Sequence, residues 1–446
     1  MSTISIPDKI RNELYSVIED AQKAHYTEQQ QNTLLSGNKL ADFTRERKLS
    51  FETMLKLLIS MQGGCIAKEL HRAGLDVSAS AFVQRRKQIN WQDFERVFEN
   101  FTPSKEELKT YKGYRVLAVD GSALNIARDP KAESYMINKS SPNGYNQLHI
   151  NPLYDILNKQ YVSCVIQPQP KMDEIGALAF MLSWYNCNDK TIIVGDRGYE
   201  SYLTFRHFME AGNNTKFLIR IRQGHGAMKK VAELPMTELD THVSFVITNT
   251  QTKADKANGY IYVPTFRNKN RILSDKLRNA WNYESPYNME FRVVRFMLST
   301  GEYETLATNL PDTFTLDDIR NLYRSRWGIE ISFRNLKYSV GLLNLHGKSD
   351  AFAMQEIFSS MIFYNFCNRI VNQVVLQQKD ENCLEYQVNM KMAVYLCREY
   401  LQTKNPDGEQ LMKNIAKYTE AVRPDREDER KLKSKGFISF VYRIAS

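Results

Sequence analysis

Three acidic residues stand out by where they fall. Asp120 follows the apolar run RVLAV and precedes Gly121-Ser122, and Asp196 follows TIIVG and precedes Arg197-Gly198-Tyr199. An apolar strand that ends in Asp and a Gly-containing turn sets the carboxylate at the mouth of a sheet. If the two strands are neighbours, both carboxylates face one point and repel each other unless a divalent cation neutralises them. Hard oxygen ligands with open positions suit Mg²⁺ or Mn²⁺. Taken singly, either Asp reads more simply as a residue that caps a turn.

Glu330 lies in YRSRWGIEISFRNLK. At 100° per residue, with Tyr323 at zero, Arg326 falls at about −60°, Glu330 at about −20° and Lys337 at about −40°, all on one face. Leu322, Ile329, Phe333, Leu336 and Val340 make an adjacent apolar face that can bury. Residues 321–348 hold five Lys/Arg and a single acid, Glu330. A lone carboxylate in a basic stripe fits a metal ligand amid phosphate contacts; the plainer reading is an Arg326–Glu330 pair on a solvated helix face. Other acids and histidines read more blandly. His149 and Asp155 fit a structural His and a turn Asp, and Asp173-Glu174 fits negative charge at a helix N-terminus.

The elements that must carry these residues fall into blocks. Residues 1–110 read as helical, with Leu55, Leu58 and Ile59, and Phe94, Val97 and Phe98, in helical period. Within them, 63–90 reads as helix, turn at Gly74, helix, with Ser78 or Ser80 as cap and Gln84, Arg85, Arg86 and Lys87 on an exposed face that could read DNA. Residues 111–222 alternate strands (115–119, 147–157, 161–166, 191–195, 216–221) with helical stretches at 173–186 and 200–211. Residues 223–312 carry short strand-like runs between basic loops. A helix resumes at Thr315, a plausible N-cap with Asp317 and Asp318 in the first turn, and continues to Val340 within a block at 313–350. Residues 351–446 read as helical with a basic tail, seven Lys/Arg against four Asp/Glu from Arg423 on.

Composition sets outer limits. The chain has 446 residues, 42% hydrophobic and 25% charged, the usage of a globular protein. A net charge of +9 favours a polyanionic partner, nucleic acid before a membrane surface. The opening MSTISIPDKIRNELY has neither apolar core nor basic leader, and no apolar run approaches a membrane span, so no membrane association is expected. The six cysteines form no CxxC pair, as expected for reduced thiols in the cytosol.

The spacing of Tyr323, Arg326, Glu330 and Lys337 resembles the Y-(2)-R-(3)-E-(6)-K signature of the insertion-sequence-four family of DDE transposases. VDGS around Asp120 and GDRGY around Asp196 are similar to the family's first and second aspartate contexts. The resemblance spans about 112–375. It implies an α/β fold: a ribonuclease H-like mixed-sheet catalytic core, a β-rich insertion at 223–312, an N-terminal helical domain and a C-terminal helical region. It implies that Asp120, Asp196 and Glu330 hold two Mg²⁺ or Mn²⁺ ions for in-line attack on DNA phosphodiesters. Tyr323, Arg326 and Lys337 would contact phosphates near the transposon end, Trp327 (or Trp281) could stack on a displaced base, and Arg197 could touch a phosphate. Arg85 and Arg86 would help read the terminal inverted repeats. The implied partners are double-stranded terminal repeats and target DNA, with a homodimer in the DNA complex and a cytoplasmic, nucleoid-associated setting. The expected reaction is cut-and-paste through a hairpin. A metal-dependent nuclease without strand transfer, and a non-catalytic DNA-binding derivative, are the alternatives.

Overall fold

A computed structural model describes residues 4–36, 43, 47–184, 189–210, 214–224, 226–264, 283–376 and 385–422. Trp281 and the tail from Arg423 lie outside the described residues. Five helices come first: α1 (Ile6–Ser36), α2 (Phe51–Ser60), α3 (Ile66–Arg72), α4 (Ala79–Arg86) and α5 (Trp91–Asn100). The expected apolar stripes form their inner faces. Leu55, Leu58 and Ile59 of α2 and Phe94, Val97 and Phe98 of α5 are buried. Gly74 takes φ +68° in the turn after α3, a left-handed conformation that glycine adopts at no steric cost, and the Ser78 side chain caps α4 by accepting from Ala81 N.

The strands are β1 (Arg115–Val119), β2 (Ser122–Ile126), β3 (Tyr135–Asn138), β4 (Ser141–Asp155), β5 (Gln160–Pro168), β6 (Thr191–Gly195) and β7 (Thr215–Arg220), with α6 (Glu174–Trp184) before β6 and α7 (Tyr202–Glu210) after it. β4 runs antiparallel to β1, β2 and β5, whereas β1, β6 and β7 are parallel. Val119 pairs with Leu153 and Ser122 with Ile150, so the register along β4 continues unshifted across the Asp120-Gly121 break between β1 and β2.

Next come α8 (Lys229–Ala232), β8 (Leu239–Thr248), α9 (Lys253–Ala257), β9 (Ile261–Tyr262), β10 (Tyr287–Met297) and β11 (Tyr303–Thr308). These strands do not build a sheet of their own. β11 pairs antiparallel with β7, and the order β2-β4-β1-β6-β7-β11-β10-β8-β9 makes one continuous sheet. The expected β-rich block is thus an outward extension of the central sheet.

The side-chain alternation of the strands sorts two faces. Leu117, Val119, Ile193 and Phe217 pack beneath α6 and α7, with Leu178, Met181, Phe205 and Phe208. Val116, Ile192, Val194 and Leu218 pack on the opposite face with Ile319, Leu322 and Tyr323 of α10 (Leu316–Ser325). Thr315 caps α10 in a reciprocal box with Asp318. The expected single helix to Val340 is divided. Arg326 separates α10 from α11 (Trp327–Arg334), and a π-turn follows at Asn335–Ser339. The 22-residue α12 (Asp350–Val371) then crosses to the N-terminal helices. Ile357, Phe358, Met361 and Tyr364 of α12 share one core with Leu14 of α1, Phe51 of α2 and Phe94 of α5. Ala393 and Cys397 of α13 (Met390–Gln402) and Ile415 of α14 (Gly408–Lys417) join it. The helices before the sheet and those after it therefore meet in one helical layer. No helix among the described residues is long and apolar enough to cross a membrane.

Candidate active site

β1 and β6 are adjacent and parallel, with Val119 level with Gly195. The next residue on each is the aspartate, so Asp120 and Asp196 emerge side by side at the end of the sheet. By the period of two they share the face of Val116, Ala118, Ile192 and Val194, the face covered by α10 and α11. That face brings the helical residues to them. The Tyr323 hydroxyl donates to Asp196 Oδ1 at 3.4 Å. Both terminal nitrogens of Arg326 reach Glu330 Oε1 at 3.4 Å. Lys337 Nζ donates to Ser122 Oγ at 2.7 Å and to Ala123 O at 3.1 Å, two and three residues beyond Asp120. The interruption at Arg326 and the π-turn mean that these four side chains gather by a bent path rather than along the uniform stripe that 100° per residue describes.

The electrostatics show that the groups act on one another. Burial pushes the Asp120 carboxyl up to about 6; the Gly121 N–H and Arg326 oppose the rise, and the charges of Glu330 and Glu174 add to it. Burial disfavours the charged form of Arg326, while the charges of Tyr323, Asp196, Glu330 and Asp120 outweigh it and hold the guanidinium's affinity for its proton high. Arg326 is 8% exposed and is the cation that all three acids of the expected triad feel. The Tyr323 phenol is pushed up to about 12, by burial first. Burial pulls the Lys337 ammonium down.

Among the described residues no three His, Cys, Asp or Glu side chains stand close enough together to share an ion. In this arrangement Arg326 offsets part of the carboxylates' charge. The donor set itself, carboxylate oxygens around a place that already stabilises positive charge, matches a hard divalent cation.

Trp327 is 47% exposed, with the Arg326 guanidinium 6.0 Å from its ring centre, and Arg197 is exposed beside Asp196. Arg85 and Arg86 are elsewhere and face inward, against the exposed face expected of them. Arg85 Nε donates to Leu49 O at 3.0 Å and its guanidinium lies 3.6 Å from the Phe43 ring centre. Arg86, 2% exposed, donates to Gln355 Oε1, Glu356 Oε1 and Phe352 O at 2.7, 2.8 and 2.8 Å. α12 draws Arg86 inward, and Leu49 O and the Phe43 ring hold Arg85; Ser80, Ala81 and Gln84, with Lys87 just past its end, are what α4 exposes.

The family described as "Transposase DDE domain" matches residues 111–366, more than half of the chain, and the match encloses Asp120, Asp196 and Glu330. The chain belongs to the DDE transposase family. No curated protein matches this transposase. Among solved structures it is similar to the piggyBac transposase synaptic complex with hairpin DNA, at 10% identity and a TM-score of 0.43, over 83% of this chain and 78% of that one.

Three residues around these carboxylates were not singled out as functional from sequence. Glu174 acts on Asp120 from the α6 side. Glu304 on β11 pairs with Arg220 at 3.3 Å and feels Asp196 and Arg326. Tyr199 is buried beside the carboxylates. Only Tyr199 carried a local signal, its place three residues after Asp196.

Proposed function

We propose that this DNA transposase excises a DNA segment at its terminal inverted repeats and joins it to target DNA. Asp120, Asp196 and Glu330 would hold two divalent ions, Mg²⁺ or Mn²⁺. When bound, the ions supply charge neutralisation and Lewis acidity at the scissile phosphate. The observation that carries this reading is the level emergence of Asp120 and Asp196 from neighbouring parallel strands, with Glu330 presented from the helix above the same face.

The chain's own residues divide the remaining work. Arg326 offsets part of the charge of the acidic cluster in the DNA-free protein, and Glu330 has to leave Arg326 to join the two aspartates. Arg326 is then a cation without its carboxylate partner beside the place where a phosphate must lie. Tyr323 orients Asp196, and Lys337 fixes the strand that follows Asp120. Arg197 and Trp327 are the exposed candidates for phosphate contact and for stacking on a displaced base. A 3′-hydroxyl freed by a first hydrolytic nick attacks the phosphodiester of the opposite strand, joining its 5′-phosphate in a hairpin and releasing the flanking DNA with a 3′-hydroxyl; water then hydrolyses the new bond to reopen the end. In the DNA complex a homodimer pairs the two ends.

The test uses purified full-length protein, end-labelled donor DNA bearing candidate terminal repeats, and Mg²⁺. Excised ends, a covalently closed end on denaturing gels and products joined to target DNA are expected. Asp120→Asn, Asp196→Asn and Glu330→Gln should each abolish cleavage while retaining end binding. Near-normal nicking by any of the three removes that residue from the triad; cutting of both strands with no closed end, even when opening is slowed, removes the hairpin.

A further inference from the structure

Glu174 is the first residue of α6, where an acid ordinarily serves the helix N-terminus. Here that work is done by its neighbour: Asp173 Oδ1 accepts from Gly176 N at 2.9 Å. Glu174 is turned elsewhere. His149 Nε2 meets its Oε1 at 3.0 Å, and His149 Nδ1 faces Gln169 Oε1 at 3.2 Å. His149 stands on β4 and is 6% exposed, so the ring is held by the sheet.

The position of this carboxylate follows from the glycines beneath it. A methyl group on Gly121 would lie 2.2 Å from Glu174 Oε1 and 2.3 Å from His149 Nε2. A methyl group on Gly198 would lie 3.8 Å from Glu174 Oε2. Gly121 follows Asp120, and Gly198 is two residues past Asp196. The Glu174 carboxylate therefore spans the two turns that carry the aspartates. It reaches them from the α6 face, whereas Glu330 reaches them from the α11 face.

A second, independent feature points to a ligand at this place. The Tyr199 hydroxyl is buried and has no hydrogen-bond partner among the described residues. The charges acting on it, after burial itself, are those of Glu174, Asp120 and Asp196. A buried hydroxyl is seldom left unsatisfied, because its desolvation goes uncompensated. This one lies within reach of the carboxylates' charges and is left for something else to complete.

We propose that Glu174, held by His149, is a fourth cation-binding carboxylate of this site. It rests on the divalent-cation reading above and extends it to the opposite face of the sheet. The geometry divides the roles: His149 is a positioning residue that never touches the ion, and the absence of a side chain at Gly121 leaves room for the pair.

The test is Mn²⁺ binding to the full-length protein without DNA, followed by titration calorimetry, with thermal melting in the absence of metal as the control for folding. Glu174→Gln should weaken Mn²⁺ binding at least tenfold while the metal-free melting temperature holds or rises, because a repelling charge is gone. Glu174→Asp should fall between, and His149→Gln, which keeps the acid but frees it, should weaken binding severalfold. Wild-type affinity in Glu174→Gln, with binding lost in Asp120→Asn, overturns this proposal and leaves the divalent-cation reading standing. Mn²⁺ binding that is absent or indifferent to Asp120→Asn overturns both. If Glu174→Gln fails to fold, wild-type affinity in His149→Gln overturns the proposal on its own.

Discussion

Replacing Arg86 by Ala separates two views of helix α4. An arginine on an exposed recognition face would lose one phosphate contact, and the slope of log K against log salt would fall by about one ion. The structure gives it a different job. Arg86 is 2% exposed and its three donors all go to α12. Breaking a buried ion pair from one side typically costs about 3–5 kcal/mol, since the other charge is stranded. Glu356 is not wholly stranded, because it also accepts from His346 N at 2.6 Å and from Gly347 N at 2.9 Å. The low end, about 3 kcal/mol, is therefore expected. Urea unfolding should show the loss as a lower midpoint at unchanged slope. The double variant Arg86→Met with Glu356→Gln should recover much of it, because no charge is then left buried without its partner. End-binding affinity measured from 50 to 200 mM salt should keep its slope. An Arg86→Ala protein of wild-type stability whose salt slope falls by one ion would refute the inward placement.

Other perturbations address the site and the fold. Arg197→Ala should lower the salt slope of DNA binding by about 0.9 while leaving the melting temperature unchanged, because the side chain is exposed. Gly121→Ala should weaken Mn²⁺ binding in calorimetry, since the methyl group meets both the Glu174 carboxylate and the packed His149 ring. Glu95 supplies a pH test: burial first, then Glu99, pushes its carboxyl up to about 7 from 4.5. A folded-state pKa raised above the unfolded one favours the protonated fold. That contribution is full below about pH 4.5 and lost as pH rises through about 7. Glu95→Gln should flatten the decline in melting temperature between pH 5 and pH 8, and an unaltered pH profile would exclude Glu95 as its source.

Much of this arrangement was legible because it is local. Apolar, β-branched runs such as TIIVG and RVLAV can hardly be anything but buried strands, and an Asp at the end of each must emerge at a sheet margin. Thr315 with Asp318 announces a helix start in four residues. What failed to show depends on partners distant in sequence. The inward turn of Arg86 is set by α12, some 270 residues on, and that of Arg85 by Phe43 and Leu49 from before α2; a charged pair on a short helix reads the same whether solvent or such partners face it. Glu174 gains its place only when β1, β4 and the start of α6 converge. The division of the helix at Arg326 leaves no trace in the residue types, because arginine is a good helix former.

The continuity of the sheet turns it into a cantilever. From β6, which carries Asp196, to β8 the path crosses β7, β11 and β10, and four strand spacings of about 4.8 Å make roughly 19 Å of hydrogen-bonded span. A lever of that kind has no joint between the outer strands and the carboxylates, so a load borne at the tip bends the root. It also sets the smallest piece that can stand alone. Trimming the chain back to β7 would bare a row of amide and carbonyl groups along a central strand, and the severed core would look for another copy of itself to close the gap.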